Sequence, residues 1–495
     1  MIRITGKFSW MSFSPVIGDT EKKKLRDEFK SALCISLQID GSVDRGNQDM
    51  KYVVAKYVTK DQPTVLRSRF IGVSQPESKG AKGLLEVTVN TCEKSFVPTE
   101  LLVGVTTDGE AANSGRESGL WKLLEDYLGH KLLTVWCYCH RSDLAVESAL
   151  ELVPELKMWM SNITGTSRYF RTSPAKLKKM QQMFPEYLSF PPYFEFWQEL
   201  IADPEPSMRR EKATAAGMLK TWDSENSLQR KQTCLMADIT AILQTLQKHL
   251  QKGDLILPDV ITVRNNALRK LLLMVDNPFP RKRRKIGNMV VTTGVREWSA
   301  VRKEVVLSFI NFLEERLNIE ESSVMKAFTL FLNAKTPKEM IDGGRTLVEN
   351  IFSREGKDAV SEFSSNVCDC WPQIEQIGDL DISDIGIKMS YKLRKLISAT
   401  TGVLQRFSCV LMVLSPHSMT VEKVISHHNQ IKLTHRMSTS EETINAKMFI
   451  ALNGIGTAHY DPRLAVDEFF AEKGTPFPGT RVICLFKQRI YKDIF

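Results

Sequence analysis

No stretch of the 495-residue chain approaches the roughly 20 consecutive apolar residues that a helix needs to cross a bilayer, so no transmembrane helix and no membrane partner are expected. The N-terminal stretch Met1 to Val16 lacks the apolar run and small-residue cleavage site of a secretory signal. Cysteine is scarce. There are nine, an odd number, and their spacing shows no disulfide framework, which fits a reducing, intracellular compartment. No fixed repeat recurs, which excludes a solenoid. Charge of one sign is only mildly in excess, at +9, compatible with an anionic partner but not diagnostic of one. What is present is ordinary globular material: 42% hydrophobic and 25% charged residues, enough for about three domains with proper cores.

The hydrophobic period changes along the chain. Residues 20–33 have helical spacing at Leu25, Phe29 and Leu33. Cys34 to Asp40 then alternates as a strand that ends on a carboxylate. Met50 to Thr59 and Thr64 to Val73 read as further strands. Their short connections predict an antiparallel meander. A helix over Gly80 to Cys92 follows, then a continuous apolar strand, Leu101 to Thr107, of the kind buried on both faces. A helix over Gly119 to Leu128 and a strand over Leu132 to Cys139 complete the order βββ-α-β-α-β. From Ser142 to Leu411 the strand signal mostly disappears and helical periodicity takes over. Helices are expected again over Met419 to Ile431 and Glu441 to Ala451.

Two of these strands end in aspartate, Asp40 and Asp108. Neighbouring strand ends would bring the two carboxylates together, and two like charges that close call for a cation between them. Hard divalent ions such as Mg²⁺ prefer oxygen ligands, and a pair of them ~3.5–4 Å apart supports phosphoryl transfer. The alternative is that each aspartate simply starts a turn, as Asp-Gly often does.

Three blocks carry a resemblance. The first is Ser36-Leu37-Gln38-Ile39-Asp40-Gly41-Ser42-Val43-Asp44. The second is Val105-Thr106-Thr107-Asp108-Gly109-Glu110-Ala111-Ala112-Asn113, followed about one helix later by Trp136-Cys137-Tyr138-Cys139-His140-Arg141. The third is Ser415 to Ser426, containing Ser418-x-x-x-Glu422-x-x-x-Ser426. In this order, and with a long helical stretch before the last, they resemble the hAT transposases over about residues 30 to 470. The resemblance implies an α/β fold: an RNase H-like mixed sheet with a large all-helical insertion domain. It divides the chain into an N-terminal helical segment at 1–33, the first part of the RNase H-like domain at 34–141, an insertion at 142–411, and a completing region with the dimerisation element at 412–495.

It further implies a catalytic, metal-holding triad of Asp40, Asp108 and Glu422, with Mg²⁺ or Mn²⁺ as cofactor. DNA and a second copy of the chain would be the partners, and the nucleus the location. Taken alone, Glu422 reads as a solvated residue beside Lys423 on a helix face. Members of the family usually carry an N-terminal BED-type zinc finger. The residues ahead of Cys34 hold no Cys/His cluster, so a truncated or host-derived descendant is expected. The competing function is a non-catalytic nuclear protein that keeps the fold for dimerisation and for DNA or protein contacts.

Cys137 and His140 match the family's C-x-x-H element, an active-site support. They supply only two of the four ligands a structural zinc needs, so a packed Cys and a hydrogen-bonded His are expected. Lys220 to Ser224 resembles the family's Arg-Trp-x-Ser motif with Thr221 in the Arg position. Trp222 is then either a base-stacking residue or a core tryptophan. The run Arg281, Lys282, Arg283, Arg284 and Lys285 reads as a nuclear import signal, a phosphate contact or a solvated loop. Ile444, Met448, Phe449 and Leu452 form one apolar helix stripe, expected either to dimerise or to pack on the chain's own insertion domain.

Overall fold

In the computed structural model the described residues are 14–44, 46–174, 213–217, 228–276, 296–318, 323–352, 358–378, 388–432 and 439–454, with 178 and 354. The chain divides into two compact units. The first comprises residues 1–140, 250–261 and 319–495, the second 141–249 and 262–318.

The first unit is built on one mixed five-stranded sheet. Helix α1 (Ser14–Lys30) leads into β1 (Ala32–Val43), β2 (Asp49–Thr59) and β3 (Arg67–Ser74). These three pair antiparallel, as the short connections predict. Helix α2 (Ala81–Lys94) crosses to β4 (Leu102–Thr107), and α3 (Leu120–Leu128) crosses to β5 (Leu133–Trp136). β4 lies parallel to β1 and β5 parallel to β4, giving the order β3-β2-β1-β4-β5.

The alternation of β1 assigns its two faces. Ile35, Leu37 and Ile39 stand across from Tyr57, Ala55 and Val53 and are buried. Leu25 and Phe29 of α1 belong to the same apolar core, and Phe29 meets Tyr57 edge-on at 5.0 Å. The other face carries Ser36, Gln38 and Asp40, opposite Lys56, Val54 and Tyr52. Burying this polar set requires hydrogen-bonding partners. They come from the far end of the sequence.

The strand expected over Leu132 to Cys139 stops at Trp136. Cys137 to His140 open helix α4 (Tyr138–Leu152) instead. The Cys137 N–H makes the last ladder bond, to Thr107 O (2.8 Å), and its sulfur then accepts the His140 N–H, capping the helix that follows.

In the second unit, α4 continues into α5 (Pro154–Arg171), α6 (Leu228–Leu250), α7 (Asp259–Asp276) and α8 (Arg296–Arg316). Trp159 Nε1 donates to Thr233 Oγ1 (2.9 Å) between α5 and α6. Arg302 donates to Val275 O (3.1 Å) at the end of α7.

Residues 319–411, read from the sequence as part of the inserted body, cluster with the sheet. This stretch contains α9 (Ser323–Asn333), α10 (Pro337–Ile351), α11 (Asp358–Asp369), α12 (Trp371–Gly378), α13 (Lys388–Ala399) and α14 (Gly402–Val413). Phe331, Phe363 and Phe407, all buried, join α9, α11 and α14 with ring centroids 5.0–6.2 Å apart. Ser36 of β1 donates to Val413 O at the end of α14 (2.5 Å).

Helix α15 (Met419–Ile431) follows, then α16 (Glu441–Asn453). The apolar stripe of α16 is not available to a second copy. Ile444, Met448 and Phe449 are at most 1% exposed, and Leu452 packs against the same core. Among the described residues, the core they join is that of the sheet, α1 and α15. Phe449 meets Phe70 edge-on at 5.3 Å, and Gly18 of α1 lets the Ala446 backbone approach so closely that a Cβ there would lie 2.9 Å from it. α16 also closes the sheet edge. The amide of Asn445 pairs with both N–H and C=O of Val73, and that of Asn453 with both groups of Phe70, at 2.6–3.0 Å. Two side-chain amides thus stand in for a sixth strand. Among the described residues, no helix is long and apolar enough to cross a membrane.

Candidate active site

Parallel pairing of β1 with β4 sets Gln38 beside Thr106. Two residues further along each chain come Asp40 and Asp108, at the same end of the sheet and on the same face by strand parity. Asp40 accepts the Gly41 N–H (2.8 Å) on one oxygen and the Ser418 hydroxyl (2.9 Å) on the other. Asp108 accepts from Asn113 Nδ2 (2.6 Å) and from the Glu110 N–H (3.1 Å). Gly109 follows because the Trp136 ring lies over it. A Cβ there would fall 1.9 Å from Trp136 Cε2.

Glu422 stands in the first turn of α15, whose N-cap is Ser418. It is exposed. Burial raises the Asp40 carboxyl to about 6, and the negative charges of Asp108 and Glu422 add to the rise against the hydrogen bonds from Gly41 and Ser418. The three carboxylates therefore share one electrostatic neighbourhood. They are not drawn in upon one point: among the described residues, no three His, Cys, Asp or Glu side chains group closely enough to hold a metal ion. In chemistry the donor set suits a hard divalent cation, all carboxylate oxygen, with one member part-buried against two like charges that a cation would relieve.

What brings α15 here is the segment 413–418, laid across the polar face of the sheet. Gln38 Nε2 donates to Ser415 Oγ and His417 O, both at 2.6 Å. Thr106 Oγ1 donates to Ser415 O (2.8 Å), and the Tyr138 N–H to Pro416 O (2.9 Å). His417 Nδ1 accepts the Met419 N–H (3.2 Å), so Nε2 carries the proton and donates to Lys252 O (2.9 Å). Burial, with Lys56 nearby, lowers the His417 pKa to about 4 and keeps this tautomer neutral. The far end of α15 is held by a Tyr52–His428 hydrogen bond and by Lys432, which forms a buried ion pair with Asp44 and donates to Gln48 Oε1 (2.7 Å).

Cys137 lies behind Ser418. Its sulfur accepts from the Ser418 N–H and hydroxyl, both at 3.4 Å. The Cys139 thiol, Ser418 and the His140 N–H all hydrogen-bond it, lowering its pKa to about 6 despite burial. The Ser418 proton serves either Asp40 or Cys137, so this serine links the helix cap to the carboxylate. His140 contributes its backbone N–H to Cys137. Trp222 and the run Arg281, Lys282, Arg283, Arg284 and Lys285 lie outside the described residues.

Gln38, Ser415 and His417 lie in the blocks quoted from the sequence but have no role of their own there, and Lys56 lies outside those blocks. The available signal was polar residues at alternate β1 positions and a lysine inside the apolar run Val53 to Val58. No family model matches the chain.

Proposed function

We propose that the chain is a hAT-type transposase core or a descendant of one, with an RNase H-like sheet that cuts and joins DNA strands at Asp40, Asp108 and Glu422. The observation that carries this reading is that Asp40 and Asp108 stand at the same end of two neighbouring parallel strands, with the charges of Asp108 and Glu422 both adding to the rise in the Asp40 pKa although Glu422 enters from the far end of the sequence. Asp40 in β1, Asp108 just past the end of the parallel β4, and Glu422 in the first turn of α15 would hold Mg²⁺ or Mn²⁺. Bound there, the metal would supply an activated nucleophile and charge neutralisation at the leaving oxygen of a phosphodiester. The chain's own part is positional. Asn113 and the Glu110 N–H fix Asp108, Ser418 and Gly41 fix Asp40, and Glu422 supplies the third carboxylate from an exposed first turn. DNA is the proposed substrate and the nucleus the proposed location. The test is Mg²⁺- or Mn²⁺-dependent nicking of DNA bearing candidate terminal repeats. Wild type should cut and Asp108→Asn should not. Equal cutting by both would refute the assignment.

A second reading rests on the exposed Glu422 and the lack of a closed three-ligand group among the described residues. In it the fold persists as a non-catalytic nuclear protein that contacts DNA or protein. Mn²⁺ titration separates the two, since the second reading expects no uptake that depends on Asp40 and Asp108.

A further inference from the structure

One buried charged group has no part in that chemistry. Lys56 sits mid-strand in β2, across from Ser36 and flanked in sequence by Val53, Val54, Ala55, Tyr57 and Val58. It is 1% exposed. Its ammonium donates to two neutral oxygens, Ser415 Oγ and Gly253 O, each at 3.2 Å. Among the described residues it makes no ion pair, and Asp254 acts on it only through space. Burying a cation against neutral oxygens is costly, and burial lowers its pKa to about 8. A sheet selected for stability alone would place an apolar side chain here. The ammonium instead joins three distant parts of the chain: β2, the 252–253 turn and the 413–418 segment. His417 repeats the link by donating to Lys252 O, next to Gly253. Ser415 is also the residue that Gln38 and Thr106 grip from β1 and β4. Three residues later the same segment delivers Ser418 to Asp40 and starts the helix that carries Glu422.

We infer that Lys56 is a positioning residue: through Ser415 it fixes the 413–418 segment on the sheet, and so sets where Ser418 and Glu422 stand relative to Asp40. Its functional meaning rests on the metal-holding reading of the carboxylates, while the tether itself does not. A cation can act near a carboxylate cluster in two ways, and they differ in sign. If Lys56 acted by charge alone, removing it would strengthen cation binding. If it positions the segment, removing it weakens cation binding, because Glu422 and Ser418 lose their place.

The experiment uses the full chain as wild type, Lys56→Met and Ser415→Ala. Hydrogen exchange is followed over 413–422, and Mn²⁺ uptake is measured by calorimetry. Both variants should speed exchange of the amides of 414, 415 and 417–419 by about tenfold or more, the scale of one charge-assisted hydrogen bond, with β1 to β3 unchanged. Mn²⁺ affinity should fall by a similar factor. Unchanged exchange in a folded Lys56→Met chain, or tighter Mn²⁺ binding by it, overturns the inference. If Lys56→Met does not fold, Ser415→Ala is made in a Gln38→Met background, because Ser415 Oγ also accepts from Gln38, and exchange there no faster than in Gln38→Met alone overturns the inference. If wild type takes up no Mn²⁺, the metal reading falls, and the exchange rates still decide the tether.

Discussion

Replacing Asp40 with asparagine should stabilise the protein at neutral pH. The Asp40 carboxyl has a pKa of about 6 in the folded chain against 3.8 for the ordinary group. The folded state therefore holds a proton that the unfolded state has released between those two values. Stability falls as pH rises through that window and stays low above it. At 1.36 kcal/mol per pKa unit, the ionised carboxylate costs about 3 kcal/mol at pH 7.5, an upper bound because the side chain is only part-buried. Asparagine keeps the shape and an acceptor for Ser418 without the charge. The gain should be at most about 3 kcal/mol at pH 7.5 and shrink to about half of that at pH 5. His417 works in the opposite sense over nearly the same range. Its pKa is lowered to about 4, so the stability its neutral form provides is lost as pH falls from 6.5 towards 4. Wild type alone therefore blends the two effects, and the difference between wild type and variant isolates Asp40. The assay is urea denaturation in EDTA at both pH values. A loss of stability at pH 7.5, or a gain no smaller at pH 5, would refute the reasoning.

Other substitutions test the packing. Gly109→Ala puts a Cβ into the Trp136 ring and should cost about 1–3 kcal/mol by overpacking, read as a lower melting temperature. Asn445→Ala with Asn453→Ala frees the edge of β3. Each lost amide should cost about 1–3 kcal/mol, and light scattering should show concentration-dependent aggregation through the bared strand. Phe449→Asp places a charge where Phe449 is 1% exposed, and should lower stability by about 3–5 kcal/mol on circular dichroism melting. A folded Phe449→Asp chain with unchanged melting would contradict the packing of α16 on the sheet.

The sheet was readable where alternation and turn spacing are local properties: β1 to β3, the buried run of β4, and the carboxylates at two strand ends. Three features were not local. Cys137 to His140 continue an apolar strand pattern. They become a helix start because hydrogen bonds of the Cys137 sulfur to the Ser418 and His140 N–H groups outweigh strand propensity there. Residues 319–411 have the same helical period as the second unit, and period does not say which body a helix joins. The Phe331–Phe363–Phe407 cluster ties α9 and α11 to α14, and α14 lies against the sheet, with Cys409 Sγ donating to Pro63 O and Val413 O, at its end, accepting from Ser36. The α16 stripe was legible as one apolar face, expected to be covered by a second copy or by the insertion, but a stripe does not name its cover. The cover is Phe70 and α1, from the other end of the chain, so the expected dimer surface is interior.

The two sheet faces divide the physical work. On one, Ile35, Leu37 and Ile39 bury hydrocarbon, which stabilises without direction. On the other, Ser36, Gln38 and Thr106 spend their donors on Val413 O, Ser415 O and Oγ, and His417 O, in a segment up to 379 residues away. Hydrocarbon would bind that segment as firmly but in many registers. Hydrogen bonds to successive backbone and side-chain oxygens permit one, since a slip of a single residue turns each donor onto the wrong group and leaves it buried and unpaired. Register is what Glu422 requires. It sits in the first turn of a helix whose start is Ser418, and Ser418 reaches Asp40 only when Ser415 lies over Gln38, Lys56 and Thr106. The polar face is thus a locating surface, and its buried lysine is the strongest sign that position, rather than stability, is what it maintains.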